Sequence, residues 1–354
     1  MEENKDMLTL LEKLLQPVFC VKDHTIVQAN AAARQMFLEP GMDIRPLLEQ
    51  AAEDYDAFQD GCLYLPLTIG GQAVSACVQR IDGLDVFELD TGSDSAILHS
   101  LALAAAALRK PLGTALSNAE SLLEDRKETE TVLQLSQLNQ SLYQILRILG
   151  NMSDAKEFTS LSRQETVNIP KVLEEIFQKA AHMLEHSGII LHYSGLSEPI
   201  YALADRDQLE RAVLNILSNS AKFSPEGSCI QASLIRRGRS LKLTVQDSGS
   251  GIADAVMGSL FRRYLRQPGI EDNRFGLGLG IRMVHSVALQ HSGTLLVSRG
   301  ENGGTRTVMT LAIRQREQNR MHSPVFSINY SGGFDHSLVE LSDVLPAELF
   351  DGSF

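Results

Sequence analysis

Glu210 to Ser224 reads ERAVLNILSNSAKFS, and two later stretches complement it: VQDSGSGI, Val245 to Ile252, and RFGLGLGIRMVHSV, Arg274 to Val287. In the first, Val213, Leu214, Leu217 and Ala221 form an apolar stripe at helical spacing. Asn215, Asn219 and Lys222 follow at offsets of four and three and share the other face. Two amides and one cation on a face suit a metal-bound triphosphate, since Mg²⁺ takes hard oxygen ligands and Lys offers phosphate a point charge. Taken alone, the same trio also suits a solvated helix face.

The second stretch is an apolar strand ending in Asp247, with Gly249 and Gly251 after it. Glycines allow a tight turn and close approach of a ligand. A carboxylate at that point can accept from an exocyclic amine such as that of adenine, although an ordinary strand-end turn has the same composition. In the third stretch Gly276, Gly278 and Gly280 open a helix, so bare backbone N–H groups can face phosphates. The spacing is GxGxG, without the strand of a GxGxxG dinucleotide unit and without the GK[ST] of a P-loop.

In order and spacing these elements resemble the N, G1 and G2 boxes of sensor histidine kinases, within the GHKL ATP-binding superfamily, with LFRRYLR (Leu260 to Arg266) resembling the F box. The resemblance implies Asn219 as the Mg²⁺ ligand, Lys222 as a phosphate contact and Asp247 as the adenine contact. Asn215, Gly249, Gly251, Ile252, Gly276, Gly278 and Gly280 complete the implied ATP site, and 253–275 becomes a lid. ATP-hydrolysing members of the superfamily carry a Glu four residues before the metal Asn; here that position is Asn215, whose neutral amide cannot take a proton. The resemblance therefore points to the kinase branch.

Kinases of this family present their phosphoacceptor in a motif close to H-E-L-R-x-P-L. This chain has Ala106-Ala107-Leu108-Arg109-Lys110-Pro111-Leu112: the second half is intact, and Ala106 stands where the acceptor His belongs. His99 lies seven residues earlier, about 10 Å along a helix axis. The expectation is a homologue that binds Mg-ATP without its own acceptor. The alternatives are an active kinase using His99 or another acceptor, and a non-catalytic scaffold for a response regulator.

Around this core the pattern predicts a multidomain α+β chain. Residues 1–90 read as an α+β unit, with hairpin turns at Asp23-His24, Gly70-Gly71 and Asp82-Gly83. PVFCVKD, TIVQANAAARQMF and three late strands resemble a PAS domain. Residues 93–153 read as a helical hairpin, kinked at Pro111 and ended by Gly150, with Leu135, Leu138, Leu142, Ile145 and Leu149 on one face of its second helix. One hairpin cannot cover both apolar faces, so a dimeric four-helix bundle is expected. Residues 156–315 alternate strand and helix patterns, as an α/β sandwich should, and 316–354 is a tail whose Leu338, Leu341, Leu345 and Leu349 have spacing suited to docking on that sandwich.

The 354 residues carry a net charge of −12, which disfavours a nucleic-acid partner held by phosphate contacts. No apolar run approaches a membrane span. The acidic start and the scattered Cys20, Cys62, Cys77 and Cys229 fit a cytoplasmic protein with reduced thiols. The expected partners are ATP, a response regulator or partner kinase, and a second copy of the chain.

Overall fold

The computed structural model describes residues 16–81, 83–90, 129–157, 165–252, 279–300, 303–314 and 334–351, together with Leu108, Leu112, Gly113, Ala115, Leu116 and Ala119. His99, Ala106, Ala107, Pro111, the turn at 124–128, the segment 253–275, Gly276 and Gly278 lie outside the described residues.

Strands β1 (Val18–Lys22) and β2 (Thr25–Ala29) form the expected hairpin. Asp23 and His24 both take positive φ, 49° and 63°, the two-residue turn that matches strand twist. Asn30 then caps α1 (Ala31–Gln35). Its Oδ1 accepts from the Ala33 amide at 2.9 Å and from the Val18 amide at 3.1 Å, so the cap also holds the helix to β1. The polar middle folds into two short helices, α2 (Arg45–Leu48) and α3 (Ala52–Asp56). Strands β3 (Cys62–Ile69), β4 (Gln72–Ile81) and β5 (Leu84–Asp90) complete an antiparallel sheet ordered β2-β1-β5-β4-β3. Phe19, Ile26, Tyr55, Phe58, Val78 and Phe87 are among its core residues.

Helix α4 spans Thr129–Glu157 and runs through Gly150, which was expected to end it. A single interior glycine disfavours a helix by only about 1 kcal/mol. The buried side coincides only in part with the apolar stripe, sharing Leu142 and Leu149. Asn139, Tyr143, Leu146, Arg147 and Leu149 face inward, while Leu138 and Ile145 are exposed. The reason is the partner: this side of α4 meets backbone carbonyls of the C-terminal segment. Asn139 Nδ2 donates to Phe350 O at 3.0 Å, and Gln140 Nε2 to Leu345 O at 2.7 Å.

The remaining elements follow the alternation closely: α5 (Ile169–Glu185), β7 (Ile190–Ser194), α6 (Arg206–Phe223), β9 (Cys229–Arg237), β10 (Ser240–Gln246), α7 (Leu279–Gln290), β11 (Leu295–Arg299) and β12 (Thr305–Ala312). Their sheet is mixed, with β7 parallel to β9 and the other pairs antiparallel. Alternate residues Leu241, Leu243 and Val245 pack with the apolar stripes of α5 and α6, as period-two strands over helices require. A second small ladder pairs β6 (Glu165–Asn168) with β8 (Tyr201–Ala204). At four residues each, these strands are too short to leave a period in the sequence.

Two further features position the site. Edge strand β3 pairs antiparallel with β11 (Leu295↔Tyr64, Leu296↔Leu63, Val297↔Cys62), so the two sheets form one of ten strands. The tail forms α8 (His336–Leu341) and a 3₁₀ turn (Ala347–Phe350), with Leu338, Leu341, Leu345 and Leu349 buried as their spacing suggested.

Candidate functional site

Helix α6 starts at Asp205, whose carboxylate accepts from the Gln208 amide at 3.1 Å. Leu209, Val213 and Leu217 fix its rotation by packing into the core. That rotation does not leave Asn215 on a solvated face: it is fully buried. Its Nδ2 donates to Arg211 O at 3.2 Å and to Glu340 Oε2 at 2.8 Å. Among the described residues its Oδ1 has no hydrogen-bond partner. Asn219 and Lys222, one and two turns on, are half-buried.

The start of α7 lies against these amides. A Cβ on Gly280 would sit 2.6 Å from Asn215 Oδ1 and 3.9 Å from Asn219 Nδ2, so a side chain there would have to displace the Asn215 amide. The structure thus brings together Asn215, Asn219 and Gly280.

Asp247 follows β10 and is buried. Its Oδ1 accepts from the Gly249 amide at 3.0 Å and the Thr305 amide at 2.8 Å. Burial pushes its pKa up, and the bonds from Thr305, Gly249 and the Ser220 side chain pull the other way. Gly249 is confined by Phe223 O, 2.5 Å from where its Cβ would stand. Asp247 and the end of α6 therefore lie together, and Ile252 packs against the core.

Sequence reasoning missed Gly304, Thr305 and Ser220. Thr305 and Ser220 hold the Asp247 carboxylate, and Gly304 passes so close that its Cβ would meet Asp247 O at 2.2 Å. The signal is present as Gly303-Gly304-Thr305, a glycine pair directly ahead of the last strand. Sequence reasoning also missed the acidic residues of the tail. Glu340 is fully buried, with Arg211 Nε at 3.2 Å and Arg147 Nε at 3.4 Å. Asp343 Oδ2 lies 3.1 Å from Lys222 Nζ and 2.7 Å from Arg147 Nη1. Lys222, read as a phosphate contact, is engaged by the chain's own carboxylate.

Residues 204–315 match the family described as histidine kinase-, DNA gyrase B- and HSP90-like ATPase. Among curated relatives, the sensor protein KdpD of Clostridium acetobutylicum is 24% identical over 209 residues, covering 58% of this chain and 23% of the relative. The sensor-like histidine kinase SenX3 of Mycobacterium tuberculosis is 28% identical over 213 residues, covering 58% and 51%. The signal transduction histidine-protein kinase BaeS of Escherichia coli is 26% identical over 217 residues, covering 60% and 46%. The chain thus spans about half or less of these relatives' length. A solved structure of full-length ShkA in complex with AMPPNP overlaps 62% of this chain and 46% of its own, at 20% identity and a TM-score of 0.49. Residues 204–315 thus carry an ATPase-type domain of this family, and over 58–60% of its length the chain is similar to sensor histidine kinases.

Proposed function

We propose that this protein binds Mg-ATP in a two-component signalling role and has lost its own phosphoacceptor. The observation that carries the reading is a buried, amide-held Asp247 tied to Ser220 of α6, the same helix whose Asn215 and Asn219 meet Gly280 at the start of α7. Asp247 accepts the exocyclic amine of the base and excludes a carbonyl there, which selects adenine. Asn219 offers a hard oxygen, and Asn215, one turn earlier, has an Oδ1 without a partner among the described residues, a donor set that suits Mg²⁺ with phosphates supplying further ligands. When bound, the metal screens phosphate charge. The N-terminal unit serves as a PAS-like sensor, and the hairpin within 93–153 as the dimerising element. The exposed Leu138, Ile145 and Ile148 of α4 support a second copy as partner. A response regulator or partner kinase would read the output, and a cytoplasmic location fits this role. Among the described residues no helix is long and apolar enough to cross a membrane.

Asp247→Asn replaces an acceptor with a group that also presents a donor, and should weaken Mg-ATP binding by about 1–3 kcal/mol in calorimetric titration. Equal affinity in both proteins would sink the adenine assignment. Labelling with γ-phosphate-labelled ATP should leave the wild type unmarked, while Ala106→His with Ala107→Glu gains acid-labile phosphate. Label on the wild type would revive His99 or another acceptor.

A further inference from the structure

Leucine spacing marks the tail only as a docking segment, yet it delivers two carboxylates to the helix that carries Asn215, Asn219 and Lys222. Glu340 accepts from Asn215 Nδ2 at 2.8 Å and pairs with Arg211 and Arg147. Asp343 follows it by three residues, with one oxygen shared between Lys222 at 3.1 Å and Arg147 at 2.7 Å. An anionic oxygen held between a lysine and an arginine is the arrangement a phosphoryl oxygen takes. The segment is fixed in place rather than draped over the surface. Gln140 Nε2 donates to Ser342 O at 3.0 Å and Gln144 Nε2 to the same oxygen at 3.2 Å. Ser187 Oγ donates to Val344 O at 2.7 Å, and Leu341 and Leu345 are buried on either side of Asp343. Asp343 itself keeps 27% of its side chain exposed, so it is the member of the pair that can yield without unpacking the core.

We infer that Asp343 is a built-in phosphate mimic, competing with the nucleotide's phosphates for Lys222 and Arg147 and holding affinity for Mg-ATP below what the site could reach. This deepens the nucleotide-binding reading and rests on it. The physical ground is charge. A carboxylate on Lys222 neutralises the cation the phosphates need, and like charges brought together repel. Arg147 belongs to α4, outside the matched ATPase stretch. The competition therefore ties nucleotide binding to the position of α4 against the nucleotide domain.

The test uses the full chain. Asp343→Asn keeps the shape and removes the charge, and calorimetric titration should show Mg-ATP binding tightened about tenfold relative to wild type. In wild type, saturating Mg-ATP should accelerate amide exchange over Ser342 to Leu345. Unchanged affinity in Asp343→Asn would make the contact purely structural and overturn the inference. Weaker binding would make Asp343 a metal ligand and overturn it equally. The exchange measurement needs no variant: undiminished protection at Ser342 to Leu345 under saturating Mg-ATP also overturns it. Absence of Mg-ATP binding in both proteins would remove the nucleotide reading itself, and the inference with it.

Discussion

His285 shows how one residue can report on a whole interface. It sits on α7, five residues after Gly280, and is buried with its ring 5.2 Å from that of Tyr64 and its Nε2 3.2 Å from Ser75 Oγ. Burial, with Arg282 nearby, pulls its pKa down to about 3. The folded protein therefore refuses a proton that the unfolded chain accepts near pH 6.5. Its stabilising contribution is present above that pH and is lost as pH falls from 6.5 toward 3, at about 1.4 kcal/mol per unit. Buried His291 is shifted the same way and adds to the slope. Urea unfolding at pH 7 and pH 5 should show wild type losing more stability than His285→Gln, and equal losses would refute the assignment. Asp247 and Gly280 were legible in the sequence because their neighbours in the chain announce them: a strand end before a glycine turn, and glycines before a helix. The ties to Thr305 and Ser220 were not, since they join residues 58 and 27 positions away from Asp247, one through the pairing of β10 with β12 and the other through the placing of α6, which no local pattern records.

Among the elements, α4 departs most from its sequence reading. Its heptad-like leucines suggested the buried stripe, yet a polar row of Asn139, Gln140, Gln144 and Arg147 turns inward, because the tail brings carbonyls and carboxylates to it. A helix's apolar spacing does not show which polar residues its partner will draw inward. The partner here lies some 200 residues away and could not be read locally. The exposed Leu138 and Ile145 then remain for another surface. Full-length protein should be dimeric by light scattering at micromolar concentration, and Leu138→Glu with Ile145→Glu should make it monomeric while it stays folded. A double variant that remains dimeric would move the dimer contact elsewhere. The tail's six buried apolar residues, Leu338, Val339, Leu341, Leu345, Leu349 and Phe350, hide enough surface, at about 1.5–3 kcal/mol each, to keep it docked through any event at Asp343.

At the scale of the molecule, strand and helix positions were read from periodicity, and most fell within a residue or two. The joining of the two sheets was not legible, because an edge strand's sequence does not name its neighbour. The seam is short but well supported. Asp54 Oδ2 accepts from Thr294 Oγ1 at 2.7 Å, and Arg282 lies 3.6 Å from Asp90. Gly61 takes φ +96° where Val297 O would stand 2.3 Å from a Cβ, so no other residue lets the strands meet. Gly61→Ala should open the seam: amide exchange should rise at Leu295 to Val297 and Cys62 to Tyr64, with little change at Phe19 or Leu243. Unaltered protection at the seam would show that it tolerates the extra carbon.

That seam also decides how the chain can be cut and recombined. Separating the N-terminal strands from the rest bares β3 on one piece and β11 on the other, and a bared edge recruits whatever strand is at hand. At high concentration the nearest match is the complementary edge of another molecule, so severed halves invite exchange between chains. A foreign input module cannot be grafted by matching linker length alone. It must bring an edge strand in the register of Cys62 to Tyr64 and a glycine where Gly61 stands, which makes the N-terminal sheet and the ATPase-type domain one inherited unit rather than exchangeable cassettes.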